Sequence, residues 1–206
     1  MYHLTAPFKL PDSDFLELSN ILNSALCITE SSLIDFTKET LDEIYSTQAW
    51  TYIVNFVKQY GMIEFYPQIF YYRSNTTLTY NQIHIDGNTK VKFPLRFNIL
   101  IKGRAGLTKW WDIDYKSNKL EIVDKQFEFV NNQGKNETLS FGTYKFKEEF
   151  VNTLPDYQTS SLYKIQESAS FLRSDLLHQN YRRPEWEERL VFSVRSTQSW
   201  DTLNIL

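Results

Sequence analysis

The chain has 206 residues, 42% apolar and 16% aromatic, with a formal net charge of −3, enough to bury one sizeable core and without the basic excess of a general nucleic-acid binder. Its single cysteine, Cys27, excludes an internal disulfide framework, and no apolar run approaches the roughly 20 residues of a membrane-spanning helix. The first ten residues lack the basic-then-apolar pattern of a signal peptide, so a soluble, intracellular (cytoplasmic) protein is expected.

Pro11-Asp12-Ser13-Asp14 precedes a periodic apolar run of Phe15, Leu16, Leu18, Ile21 and Leu22. Asp12 or Ser13 can cap a helix by accepting from its first free N–H groups, which predicts a helix over about residues 13–25. A second helical stretch is predicted from Ser31 or Ser32. Leu33, Ile34, Leu41, Ile44, Tyr45, Trp50, Ile53, Val54 and Val57 share one broad face, as one helix or as two broken near Ser46-Thr47. Gly61 is the expected stop.

Beyond Gly61 the pattern turns to β. Strands are predicted over 63–73, 78–86, 96–101, 107–113, 119–124, 126–130, 137–146, 163–165, 169–173 and 189–195. Turns are expected at 74–76, 88–90, 103–106 and 131–134, and Pro94 stands at a strand start. The fold class expected is mainly β with N-terminal α-helices, arranged as a barrel or sandwich. Residues 1–206 are expected to form one domain, with 1–61 as helical support and 62–196 as the β-core.

The most informative stretch is Gln82-Ile83-His84-Ile85-Asp86-Gly87. On a strand, His84 and Asp86 share one face and Ile83 and Ile85 the other. An imidazole and a carboxylate so placed supply two of the three protein ligands of a 2-His-1-carboxylate facial triad. The chain has only two other histidines, His3 and His178. His178 closes the run Ser174-Asp175-Leu176-Leu177-His178, and Arg189 follows eleven positions later on a further strand.

An H-x-D pair early in a β-core, a late histidine and a basic residue about ten positions on resemble the Fe(II)/2-oxoglutarate-dependent dioxygenase superfamily. The Ser-Asp-Leu-Leu-His run is similar to the aspartyl/asparaginyl hydroxylase-like branch, and a prolyl hydroxylase-like assignment is compatible with the same pattern. The resemblance covers roughly residues 62–196. It implies a double-stranded β-helix (jelly-roll, cupin-like) core and Fe(II) held by His84, Asp86 and His178. It further implies 2-oxoglutarate as cosubstrate and dioxygen as oxidant. Arg189 would bind the far carboxylate of 2-oxoglutarate through its planar fork. Ser193 shares a face with Arg189 and joins it as a candidate, together with Tyr72 and Asn98. The 92 residues between Asp86 and His178 are long for the family and imply an insertion over about 114–160.

Blander readings stand beside these. A lone strand histidine is ordinarily a hydrogen-bonded structural residue, and Arg189 alone would be expected to pair with Glu187 or another surface acid. Trp110 and Trp111 should face opposite ways, one inward and one at a pocket mouth. His3 is expected in a mobile terminus without a role, and Cys27 is a small apolar group. Two further functions stay open, a jelly-roll binding or structural module without catalysis and a cupin-type metalloenzyme that does not use 2-oxoglutarate. The primary substrate could be a protein side chain, an amino acid, a nucleobase or a metabolite.

Overall fold

The computed structural model describes residues 3–26, 33–34, 36–72, 83–85, 93–103, 107–111, 116–130, 136–147, 157–159, 168–181 and 188–204. The expected turns at 74–76, 88–90 and 131–134 and the strand at 163–165 lie outside these residues. Within them the chain is a mixture of α and β, with helices and two short strands in its front part and the other antiparallel strands after them.

Helix α1 (Asp12–Leu26) starts where the Phe15 N–H donates to the Pro11 carbonyl at 2.9 Å. Pro11 therefore takes the position expected of Asp12 or Ser13. Asp12 and Asp14 instead occupy the first turn, where negative charge suits the helix dipole. The second predicted helix is two, α2 (Lys38–Ser46) and α3 (Gln48–Gln59). Thr47 ends one and begins the other. Its Oγ1 donates to the Ile44 carbonyl at 2.7 Å and accepts from the Trp50 N–H at 3.0 Å. Gly61 follows α3 with φ 85, a left-handed conformation that glycine adopts without steric cost. The helical stretch does not begin at Ser31 or Ser32. Leu33–Ile34 is a short strand, β2, and Thr37 caps α2.

Two antiparallel sheets are built from the remaining strands. The first contains β1 (His3–Pro7), β10 (Ser168–Arg173), β5 (Leu95–Lys102), β12 (Arg189–Ser196), β3 (Tyr66–Tyr72) and β2, in that spatial order. The second contains β7 (Leu120–Val130), β8 (Asn136–Phe146), β4 (Ile83–His84), β11 (His178–Tyr181), β6 (Leu107–Trp110) and β9 (Tyr157–Thr159). The chain changes sheet at each step from β3 through β4 and β5 to β6, and again from β10 through β11 to β12. The region expected as two strands over 119–130 is one strand, β7, paired along its whole length with β8 as a long hairpin. His3 opens β1, paired against β10, which corrects the expectation of a mobile terminus.

The first sheet carries opposite chemistry on its two faces. Ala6, Ala169, Ile99, Phe192, Ile69 and Ile34 stand opposite one another across six strands. Most of that row, with Phe97, Phe171 and Val194, forms one core with α1 and α3 through Leu18, Leu22, Ile53 and Val57. Each fully buried large side chain there contributes about 1.5–3 kcal/mol by leaving water. The neighbouring row is Thr5, Ser170, Asn98, Ser193 and Gln68, all polar. Alternation puts it on the face away from the helices. Ser170, Asn98, Ser193 and Gln68 are nevertheless buried, so that face is closed in as well. Among the described residues, no helix is long and apolar enough to cross a membrane.

Candidate metal and cosubstrate site

His178 opens β11, and its register partner on β4 is His84. Its partner on the other side, on β6, is Trp110. Directly opposed positions in an antiparallel pair share a face and lie about 5 Å apart at Cβ. The fold thus brings two histidines separated by 94 positions (178 − 84) to adjacent places on one sheet. Asp86 lies outside the described residues, two positions beyond His84. Among the described residues, no three His, Cys, Asp or Glu side chains cluster as a metal site.

The ring of His178 is buried, and its Nδ1 lies 2.9 Å from the Leu176 carbonyl. A carbonyl can only accept, so Nδ1 carries a proton, and in a neutral ring the lone pair would be on Nε2. Histidines that bind metals are commonly oriented by such a bond at the other nitrogen. Leu177, one residue earlier, points away and packs with Ile85, Trp111, Leu120 and Tyr144. That small apolar cluster joins residues beside β4, β6 and β11 to Leu120 of β7 and Tyr144 of β8. Trp111 is buried there, and Trp110 is buried on the other face with its Nε1 donating to the Arg173 carbonyl at 2.8 Å. The expectation that one tryptophan would stand at a rim fails, because Trp111 is buried against Leu120 of β7 and Tyr144 of β8.

Arg189 begins β12 opposite Tyr72 on β3. By alternation it shares a face with Val191 and Ser193, the face away from the helices. Its neighbour Glu188 is held by Lys102 as an ion pair and by the Tyr71 hydroxyl, which donates to it. The hydrogen bond to Glu188 pushes the Lys102 ammonium above the usual lysine range. Ser193 and Asn98 are direct register partners, both buried. Asn98 Oδ1 is a buried acceptor with no hydrogen-bond partner among the described residues.

Sequence reasoning missed Arg96. It stands two residues before Asn98 on β5 and is buried. Its Nη1 donates to Gln68 Oε1 at 3.2 Å and Ser193 Oγ at 3.4 Å, and its guanidinium lies 4.7 Å from the Phe70 ring centroid. The polar-apolar alternation Arg96-Phe97-Asn98-Ile99 was the available signal. His3 was also passed over. Its Nε2 hydrogen-bonds with Ser170 Oγ at 3.1 Å, and burial holds its pKa below the ordinary histidine value.

No protein-family model and no curated protein matches the sequence. Among solved structures the chain is similar to AviO1 from Streptomyces viridochromogenes Tue57, at 8% identity and a TM-score of 0.49, covering 96% of this chain and 91% of that one. It is also similar to a viral collagen prolyl hydroxylase, vCPH, from Paramecium Bursaria Chlorella virus-1, at 13% identity and a TM-score of 0.35, covering 95% and 91%. Function lives in sites grafted onto folds, and it is the site residues that must carry it.

Proposed function

We propose that the protein is an Fe(II)- and 2-oxoglutarate-dependent dioxygenase that hydroxylates a protein side chain or small molecule. The observation that carries the proposal is the register match of His84 with His178, with the His178 ring fixed through Nδ1. His84, Asp86 and His178 are the proposed metal ligands. A 2-His-1-carboxylate set suits Fe(II) and leaves positions open for a keto acid and dioxygen, coupling oxidative decarboxylation to hydroxylation when the metal is bound.

The strand order supports a double-stranded β-helix core. The order β10-β5-β12-β3 in one sheet and β4-β11-β6-β9 in the other is what an eight-strand chain gives when it winds between two sheets. On this reading β7–β8 is an inserted hairpin, and β1 and β2 are additions from the front end. Arg189 is the proposed anchor for the far carboxylate of 2-oxoglutarate, with Tyr72 opposite it. Ser193 and Asn98 line the buried face between that anchor and the histidines. The Leu176 carbonyl orients His178, and burial of Trp110 beside it excludes water from that flank.

Anaerobic titration with Mn(II), followed by Fe(II) with 2-oxoglutarate, tests the proposal. The wild-type chain should take up one metal ion and decarboxylate 2-oxoglutarate slowly without primary substrate. His178→Ala should do neither. Metal uptake unchanged in that variant removes the proposed site. Metal uptake without any decarboxylation favours the cupin-type alternative.

A further inference from the structure

Of the run Ser174-Asp175-Leu176-Leu177-His178, only the histidine has a part in the proposed reaction. Its first four residues carry the chain from Arg173, the last residue of β10 in the first sheet, to His178, the first of β11 in the second. A crossing this short leaves backbone N–H and carbonyl groups that need partners. Ser174 is tied to the first sheet. Its N–H donates to the Pro94 carbonyl at 2.8 Å and its hydroxyl to the Phe93 carbonyl at 2.6 Å, both just before β5. Leu177 is tied to the second sheet, where its carbonyl accepts from the Trp111 N–H at 2.9 Å. Trp110 joins the two sheets, since its Nε1 reaches the Arg173 carbonyl at 2.8 Å.

Between these ties Arg173 and Asp175 close the turn. Arg173 Nε and Nη2 donate to the two Asp175 carboxylate oxygens at 2.8 and 3.2 Å, a bidentate fork. One residue on, the Leu176 carbonyl holds Nδ1 of His178 at 2.9 Å. The orientation of the ring thus depends on a main-chain group, which no substitution removes. What can be changed are the side chains that fix it. Ser174 is 1% exposed, whereas the Arg173 and Asp175 side chains are 25% and 29% exposed. A part-exposed ion pair adds little to stability, so its effect on the ring is separable from folding.

We propose that Ser174 and Asp175 are positioning residues for His178. Ser174 anchors the crossing to the first sheet, and the fork from Arg173 to Asp175 sets the turn that offers the Leu176 carbonyl to Nδ1. With the proton kept there, a neutral ring presents the lone pair of Nε2. Removing partners that orient a metal-binding histidine typically costs about 10- to 100-fold in metal affinity. That Nε2 faces a metal rests on the dioxygenase reading. That the ring is held in one tautomer does not.

The test is imidazole nitrogen NMR on the metal-free full chain at about pH 8, where an ordinary histidine is neutral. The His178 signals are assigned by their loss in His178→Gln. The wild-type ring should show one tautomer, protonated at Nδ1. Ser174→Ala and Asp175→Ala should each bring in the other tautomer and, in a separate titration, weaken Mn(II) uptake about tenfold or more. Asp175→Ala should do so with its urea midpoint nearly unchanged, and it carries the test if Ser174→Ala unfolds. Asp175→Glu keeps the carboxylate and should recover most of the loss. A wild-type ring protonated at Nε2 alone, or a tautomer unmoved by both alanine changes, overturns the proposal whatever the metal does. A tautomer that moves in a chain whose wild type takes up no Mn(II) upholds the positioning and refutes the metal site.

Discussion

Gly103 passes so close to Glu188 that a β-carbon on it would run into the Glu188 carbonyl oxygen and the Arg189 Cα. Gly103 also holds φ at 87, where other residues are strained. The turn after β5 and the start of β12 are thus packed backbone to backbone. Gly103→Ala should destabilise the fold by about 2–3 kcal/mol from strain and displaced backbone together. If Arg189 anchors 2-oxoglutarate as proposed, the change should also shift that residue and weaken cosubstrate binding. Urea unfolding and cosubstrate titration on the same samples check both effects.

Arg189→Met removes the fork and keeps much of the stem. If Arg189 anchors the far carboxylate of the cosubstrate, 2-oxoglutarate affinity should fall about 10- to 100-fold with metal uptake retained. Mn(II) uptake and cosubstrate titration separate the two readouts. Unchanged cosubstrate affinity would reassign the residue to a structural role.

Thr47 satisfies backbone groups of two helices with one hydroxyl. Thr47→Ala should cost about 1–2 kcal/mol, the range of a lost N-cap. Thr47→Ser keeps the hydroxyl and should recover most of that. Denaturant midpoints at equal m-value would show the difference.

The pKa of His3 is lowered in the folded chain by burial. In the window between its folded and unfolded pKa values, the unfolded chain binds more protons, so stability there rises with pH. The wild-type chain should therefore lose stability as pH falls below about 6.5, the unfolded histidine value. His3→Gln should lose less over the same range. Urea titrations at pH 7.5 and 5.5 on both proteins measure the difference, and equal losses would contradict it.

How much of this was legible beforehand depended on range. Local patterns gave α1, the stop at Gly61 and strands near β3, β5, β10 and β12, because periodicity and turn residues act over a few positions. The break at Thr47 was visible only as an alternative, since a mid-helix threonine looks ordinary until its hydroxyl is seen to serve both neighbours. Leu33–Ile34 fitted a helical face as well as a strand, and only pairing with β3 decides between them. His3 pairs with a residue on β10, far along the chain, and no local signal announces that. His84 and His178 could be named from their sequence settings, but their opposition is a matter of strand register. Arg96 was hidden because a charged residue inside an apolar strand reads as an exception rather than as one member of a cross-strand pair.

The two-faced sheet has a consequence for how such a protein can change. Phe97, Ile99, Phe192 and Val194 secure the helices, while Arg96, Asn98, Ser193 and Arg195 alternate with them and look the other way. One set of positions on these two strands thus builds the core, and the other set faces away from it. Mutational drift on the second set can change the chemistry of that face while the first keeps the molecule assembled.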